Sequence, residues 1–131
     1  MARILIAEDE EALRSFVARA LAQDGHEVLV TADGAEALDV MIRDSGRFDL
    51  LLADVRMPVM DGIALALAVA RDYPEVIILL MTGYADQRER AHGLDALIHD
   101  VITKPFTLAE IRAAVQEALG RSTDDGPRTT E

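Results

Sequence analysis

The sequence predicts an α/β fold, doubly wound, in which five parallel strands alternate with helices laid on both faces of one sheet. Three observations predict it. Short apolar runs alternate with amphipathic stretches along nearly the whole chain, the pattern of repeated strand–helix units joined by right-handed crossovers. The run from Leu50 to Ala53, inside FDLLLADVRMPVMDG, is apolar without interruption, as a strand buried on both faces must be. Four of the runs also close on chemically capable side chains: Glu8 with Asp9, then Asp54, Thr82 and Lys104.

Each element has its own signal. Arg3–Ala7 is a strand by length and apolarity. Glu11–Gln23 places Leu13, Phe16, Val17, Ala20 and Leu21 on a helical period, and Gly25 offers a stop. Glu27–Thr31 is the second strand. Asp33 and Glu36 have capping-box spacing and open a helix through Arg43, which Asp44, Ser45 and Gly46 end. Residues 49–53 form the third strand, and residues 63–71, rich in Ala and Leu, a helix that stops ahead of Pro74. Residues 76–81 are the fourth strand. Asp86 with Glu89 opens a fourth helix, and residues 96–102 are the fifth strand. Thr107 with Glu110 forms a second capping box, leading a fifth helix to Leu119 with Gly120 as its stop. Residues 1–120 thus read as one unit. Residues 121–131 are polar, with Pro and Gly, and are expected to be a disordered tail.

Composition narrows the chemistry. A chain of 131 residues is one domain by length, and half its residues are hydrophobic, enough for a sizeable core. It has no cysteine, which excludes thiolate metal sites and cysteine nucleophiles and fits a reducing compartment. A net charge of -11 repels nucleic acid and anionic lipid, and 4% aromatics are too few for a base-stacking platform. No apolar run approaches the ~20 residues of a membrane span, and MARILIAEDE lacks the form of a signal peptide. A soluble, cytoplasmic protein with no nucleic-acid and no membrane partner is expected.

Acids gather at helix N-termini because the helix dipole favours them, which accounts for Glu10 and Glu11. Glu8 and Asp9 stand earlier, at a strand end, beside the point where Asp54 should emerge into the crevice that open α/β sheets use for ligands. Carboxylates packed together repel unless a cation joins them. Magnesium suits such a set, because it takes oxygen ligands and needs only one or two carboxylates. Taken singly, Thr82 reads as a strand-ending turn residue and Lys104 as a solvated lysine. Lys104 directly precedes Pro105, and a cis bond there would aim its amine. An acid pair, an acid, a hydroxyl and a Lys-Pro, in order at four strand ends, point to metal-assisted phosphoryl chemistry. His26, His92 and His99 have no metal-ligand spacing, and Met57, Met60 and Met81 read as packing. With neither a P-loop nor a G-x-S-x-G elbow, nucleotide hydrolysis and esterase chemistry fall away.

The motifs ILIAEDE, FDLLLADVRMPVMDG, LLMTGYAD and VITKPFT, in this order and spacing, resemble the receiver domain of two-component response regulators over about residues 2–120. The resemblance implies a flavodoxin-like (βα)5 fold with strand order 2-1-3-4-5. It implies that Asp54 is the phospho-acceptor and that Glu8 and Asp9 are the acidic magnesium pair, with the main-chain carbonyl of Arg56 as a further ligand. Thr82 becomes the switch hydroxyl and Lys104 the invariant lysine. The phosphoryl donor is then a sensor histidine kinase or a histidine phosphotransfer protein, docking on the first helix around Arg14, Phe16 and Val17. An effector protein would read the face made by the fourth helix, fifth strand and fifth helix. The implied activity is magnesium-dependent self-phosphorylation and dephosphorylation, not that of a classical enzyme.

Two departures from the family pattern matter. Many receivers carry Tyr or Phe three residues before the lysine, where this chain has Val101, so Tyr84 becomes the candidate switch aromatic. Arg56 and Tyr84 also occupy the positions that flank the phosphoryl group in the family, where bulk is expected to exclude water. The opening MARILIAEDE and the short C-terminal segment resemble single-domain regulators of the CpdR type, in which the unphosphorylated form is an adaptor for an ATP-dependent protease. The alternative output is a shuttle or sink that passes its group to a histidine phosphotransfer protein. Asp9, Asp54, Thr82 and Lys104, all intact, argue against a purely structural module.

Overall fold

The apolar runs become the strands of one parallel sheet: β1 (Arg3–Ala7), β2 (Glu27–Thr31), β3 (Leu50–Asp54), β4 (Ile77–Thr82) and β5 (Asp100–Thr103), ordered β2-β1-β3-β4-β5. The computed structural model describes residues 1–83 and 93–124, the last four by their backbone only. Within them lie α1 (Glu11–Gln23), α2 (Gly34–Arg43), α3 (Gly62–Asp72) and a C-terminal helix (Leu108–Asp124). The helix expected from Asp86 and Glu89 falls outside the described residues.

Side chains alternate across a strand, and this alternation builds two cores. Ile4, Ile6, Leu50, Leu52, Leu79 and Met81 face Val17 and Leu21 of α1 and Ile111 and Val115 of the C-terminal helix. Leu5, Leu51, Ala53, Ile78 and Leu80 face α2, through Ala37 and Met41, and α3, through Leu65, Ala66 and Val69. Both sets are fully buried or nearly so. Each large side chain contributes ~1.5–3 kcal/mol by leaving water, so the three inner strands hold the sheet together.

Three helix starts follow side-chain caps, whereas α1 begins after Glu10 with no side-chain cap bond. Thr107 and Glu110 exchange both capping-box bonds, at 2.7 and 3.1 Å. Asp33 accepts the Glu36 N–H at 2.8 Å, while the Glu36 carboxylate reaches back one residue further, to the Ala32 N–H at 2.7 Å. Asp61 caps α3 by accepting the Ala64 N–H at 2.9 Å.

Several boundaries differ from the sequence reading. Asp54 and Thr82 are the last residues of their strands instead of following them, because Asp54 pairs with Met81 and Thr82 with Thr103. The fifth strand begins at Asp100, not 96. The amides of Leu97 and Ile98 bond back to the Leu94 carbonyl at 2.7 and 3.0 Å, so a local turn takes the donors a strand would have used. The C-terminal helix passes through Gly120 and runs to Asp124. A glycine inside a helix costs only about 1 kcal/mol, which the packed face of this helix outweighs. Residues 121–124 are therefore helical, and residues 125–131 of the expected tail lie outside the described residues.

Candidate functional site

Strand alternation decides which polar residues meet. Glu8 continues the Ile4–Ile6 row of β1, Asp54 the Leu50–Leu52 row of β3, and Lys104 follows Ile102 of β5, all on the side of α1 and the C-terminal helix. The backbone holds each in place. The Glu8 N–H donates to the Thr31 carbonyl at 3.1 Å, and the Thr31 hydroxyl donates to the Ile6 carbonyl at 2.8 Å. The Val55 N–H donates to the Met81 carbonyl at 2.9 Å, just past Asp54, and the Lys104 N–H to the Thr82 carbonyl at 2.7 Å. The Lys104–Pro105 bond is cis.

Lys104 Nζ lies 3.2 Å from Glu8 Oε1 and 3.2 Å from Asp54 Oδ1. The other Glu8 oxygen accepts the Glu10 N–H at 2.9 Å. One oxygen each from Glu8, Asp9 and Asp54 lies within 4.8 Å of the others. Glu8 and Asp54 are buried, at 1% and 5% exposure, while Asp9 is exposed. Burial pushes the Asp54 carboxyl up, the Lys104 charge opposes this, and the Asp9 charge adds to the rise. Glu8 is likewise pushed up by burial and by Asp54, against the pull of the Glu10 N–H and Lys104. Burial works to lower the Lys104 amine, but the charges of Asp54 and Glu8 prevail and raise it.

One ammonium group thus pairs with two carboxylates, Glu8 and Asp54, and a third, Asp9, stands beside them. The donor set is all oxygen, and its negative charge exceeds what Lys104 neutralises. Glu8, Asp9 and Asp54 therefore could bind a hard divalent cation such as Mg2+. They lie in a cleft of about 950 Å³ walled by Leu13, Arg56, Met57 and Phe106.

The structure brings Glu8, Asp9, Asp54 and Lys104 together and places Arg56 in the cleft wall. Thr82 is fully buried at the end of β4 and does not line the cleft. It continues the opposite row, after Ile78 and Leu80. Val101 packs against that same core, half-buried, in register with Leu80. Tyr84 lies outside the described residues. Val17 is 1% exposed, which corrects its expected place on a docking surface: it belongs to the core, while Phe16 beside it is 47% exposed.

Two contributors escaped the sequence reading. Arg14 donates from Nη1 to the Glu8 carbonyl at 2.8 Å, and an isolated arginine in a helix carries no signal of that. Gly62 lets α3 begin against β3: its N–H donates to the Val55 carbonyl at 2.9 Å, and a Cβ there would stand 2.2 Å from the Asp54 carbonyl oxygen. Gly62 stands in the motif FDLLLADVRMPVMDG, but nothing in that motif signals a backbone contact with Asp54.

Residues 4–116 match the family model described as response regulator receiver domain. The chain belongs to this family. Curated relatives include the response regulator MprA of Mycolicibacterium vanbaalenii, 38% identical over 125 residues, which are 95% of this chain and 53% of that protein. MprA of Mycobacterium leprae is 37% identical, covering 94% of this chain and 53% of the relative. The chain spans about half the length of these relatives. Among solved structures, a CheY-like receiver domain protein from Methanospirillum hungatei superposes with a TM-score of 0.87 at 27% identity, over 96% of this chain and 99% of that one. The response regulator TrrA of Thermotoga maritima, crystallised in complex with Mg(2+)-BeF, gives 0.79 at 27% identity, over 90% and 99%. The parallel order β2-β1-β3-β4-β5 is the receiver fold. Receiver domains of two-component systems interact with sensor kinases and effectors. No helix among the described residues is long and apolar enough to cross a membrane.

Proposed function

We propose that this receiver takes a phosphoryl group onto Asp54 from a phosphohistidine of a sensor kinase or histidine phosphotransfer protein, and that the two resulting forms bind different proteins. The observation that carries the reading is the convergence of Lys104 on Asp54 and Glu8, 3.2 Å from each, with Asp9 beside them. An Asp54 carboxylate oxygen attacks phosphorus as the P–N bond breaks. The bonding pair returns to the imidazole nitrogen, which takes up a proton. In dephosphorylation, water attacks the same phosphorus, inorganic phosphate leaves, and the carboxylate is restored.

Such a transfer asks the protein for positioning and charge compensation more than for covalent chemistry. Glu8, Asp9, Asp54 and the Arg56 carbonyl would hold Mg2+, which when bound offsets charge on the transferring group. Lys104 turns its amine from the carboxylates to the phosphoryl oxygens. The Thr82 hydroxyl donates to the acyl phosphate. Thr82 leads into the segment after β4, so drawing it toward Asp54 biases a two-state surface formed by that segment, β5 and the C-terminal helix. With Val101 in the aromatic's usual place, Tyr84 is the side chain assigned to follow Thr82. The receiver is read as cytoplasmic, with a protein contact as its output. Adaptor duty for an ATP-dependent protease is the specific form its resemblance to CpdR-type regulators favours.

Incubation with acetyl phosphate and Mg2+, followed by intact-protein mass, tests the acceptor. Wild type should gain one phosphoryl group and Asp54→Ala none. No gain from either acetyl phosphate or a phosphohistidine donor, with Mg2+ present, would overturn the reading. Pull-downs with wild type and Asp54→Ala then separate outputs: a switch changes its partners, whereas a shuttle only loses transfer.

A further inference from the structure

We infer that Arg14 is a positioning residue for the metal-binding acids, acting through the main-chain carbonyl of Glu8. The inference deepens the proposed phosphoryl-acceptor reading and rests on it.

The Arg14 bond to the Glu8 carbonyl, at 2.8 Å and half-buried, comes from the first turn of α1. That carbonyl belongs to the peptide joining Glu8 to Asp9. The peptide on the other side of Glu8 is held from β2, where its N–H meets the Thr31 carbonyl at 3.1 Å. Glu8 is thus anchored by two elements, and its carboxylate by two further bonds, to Lys104 at 3.2 Å and the Glu10 N–H at 2.9 Å. Asp9 differs. Among the described residues no hydrogen bond holds its exposed side chain, yet one of its oxygens must fall within 4.8 Å of those of Glu8 and Asp54. Its placement thus depends on the backbone that carries it, and the Glu8–Asp9 peptide at the start of that backbone is held by Arg14.

Arg14 does not do this as an ion-pair partner: among the described residues its guanidinium bonds a main-chain oxygen and no carboxylate. Nor is it required simply to satisfy a buried group, because water at a half-buried carbonyl would serve. What water cannot supply is a fixed direction. Loss of an outer contact that orients a metal ligand typically weakens metal binding about 10–100-fold.

The test is calorimetric titration of wild type, Arg14→Met and Arg14→Ala with MgCl2 at neutral pH. Methionine keeps an apolar stem and alanine favours the helix, so at least one variant should fold. Thermal unfolding in EDTA serves as the control. Both variants should bind Mg2+ about 10-fold more weakly, with melting in EDTA nearly unchanged. Labelling by acetyl phosphate should be slow at limiting Mg2+ and regain the wild-type rate at saturation. Wild-type Mg2+ affinity in a folded variant overturns the inference. So does normal affinity combined with slow transfer from a phosphohistidine donor, which would make Arg14 a docking residue. If wild type itself fails to bind Mg2+, the site reading falls together with the inference; if wild type binds and the variants match it, only the inference falls.

Discussion

Glu8 and Asp54 are two buried carboxyls that share one ammonium group, and the consequence is measurable. Both have folded-state pKa values raised by burial. The folded state therefore holds their protons to higher pH than the unfolded chain does. Their stabilising contribution is complete below the ordinary carboxylate range and is lost as pH rises through the raised values. In EDTA, Asp54→Asn should be more stable than wild type at neutral pH, by on the order of 1 kcal/mol. The advantage should vanish on acidification to about pH 4, the ordinary carboxylate range. Urea melts at the two pH values check this, and an advantage independent of pH counts against it. Arg56 stands exposed in the cleft wall. If its bulk and that of Tyr84 exclude water from an acyl phosphate, Arg56→Ala and Tyr84→Ala should each lose the phosphoryl group faster than wild type. Equal decay rates, followed by intact mass, sink that idea. The four residues of the site announced themselves in the sequence because each ends an apolar run with a functional group. Arg14 and Gly62 did not, because both act on backbone atoms that no side-chain pattern records.

At the scale of elements, two glycines show what helix starts and ends depend on. Gly62 opens α3 where an added Cβ would meet the Asp54 carbonyl at 2.2 Å, whereas at Gly120 nothing lies within 4 Å. Gly62→Ala should therefore destabilise by about 1–3 kcal/mol through overpacking, and should slow labelling of Asp54 by displacing its carbonyl. Gly120→Ala, inside a helix, should stabilise by about 0.4–1 kcal/mol. Thermal melts of the two variants decide both points; a stabilised Gly62→Ala would show that the α3 start gives way easily. The starts of α2 and the C-terminal helix were legible because a cap is a local side-chain bond, as the Asp33–Glu36 and Thr107–Glu110 contacts show. Ends were not. The C-terminal helix continues through Gly120 because its inward residues Ile111, Val115 and Ala118 are buried against the sheet. The start of β5 was misplaced for a related reason: Leu94 and Ile98 supply apolar packing from a turn, and apolar composition does not distinguish a turn that packs from a strand that pairs.

Over the whole molecule, a net charge of -11 works against compactness through self-repulsion. Salt added to a low-ionic-strength buffer should raise the melting temperature by screening it. Mg2+ should raise it further than sodium at equal ionic strength, because a cation held by Glu8, Asp9 and Asp54 binds the folded state alone. Identical shifts with the two salts would leave no room for a specific site. Part of that repulsion lies where the cation would sit, among Glu8, Asp9 and Asp54, so occupancy of the cleft should bear on the stability of the whole.

By itself, the sequence determined the α/β class, the alternation of strand and helix, the capped helix starts and the set Glu8, Asp9, Asp54 and Lys104. These follow from local periodicity and from the identity of the residue that ends each run. Only the tertiary structure decided which face each side chain takes, that one lysine spans two buried acids, that Thr82 lies on the opposite row from Asp54, and that Arg14 grips the Glu8 carbonyl. Those outcomes depend on strand register and on contacts between residues as far apart in sequence as Glu8 and Lys104, which come together only once the sheet is assembled.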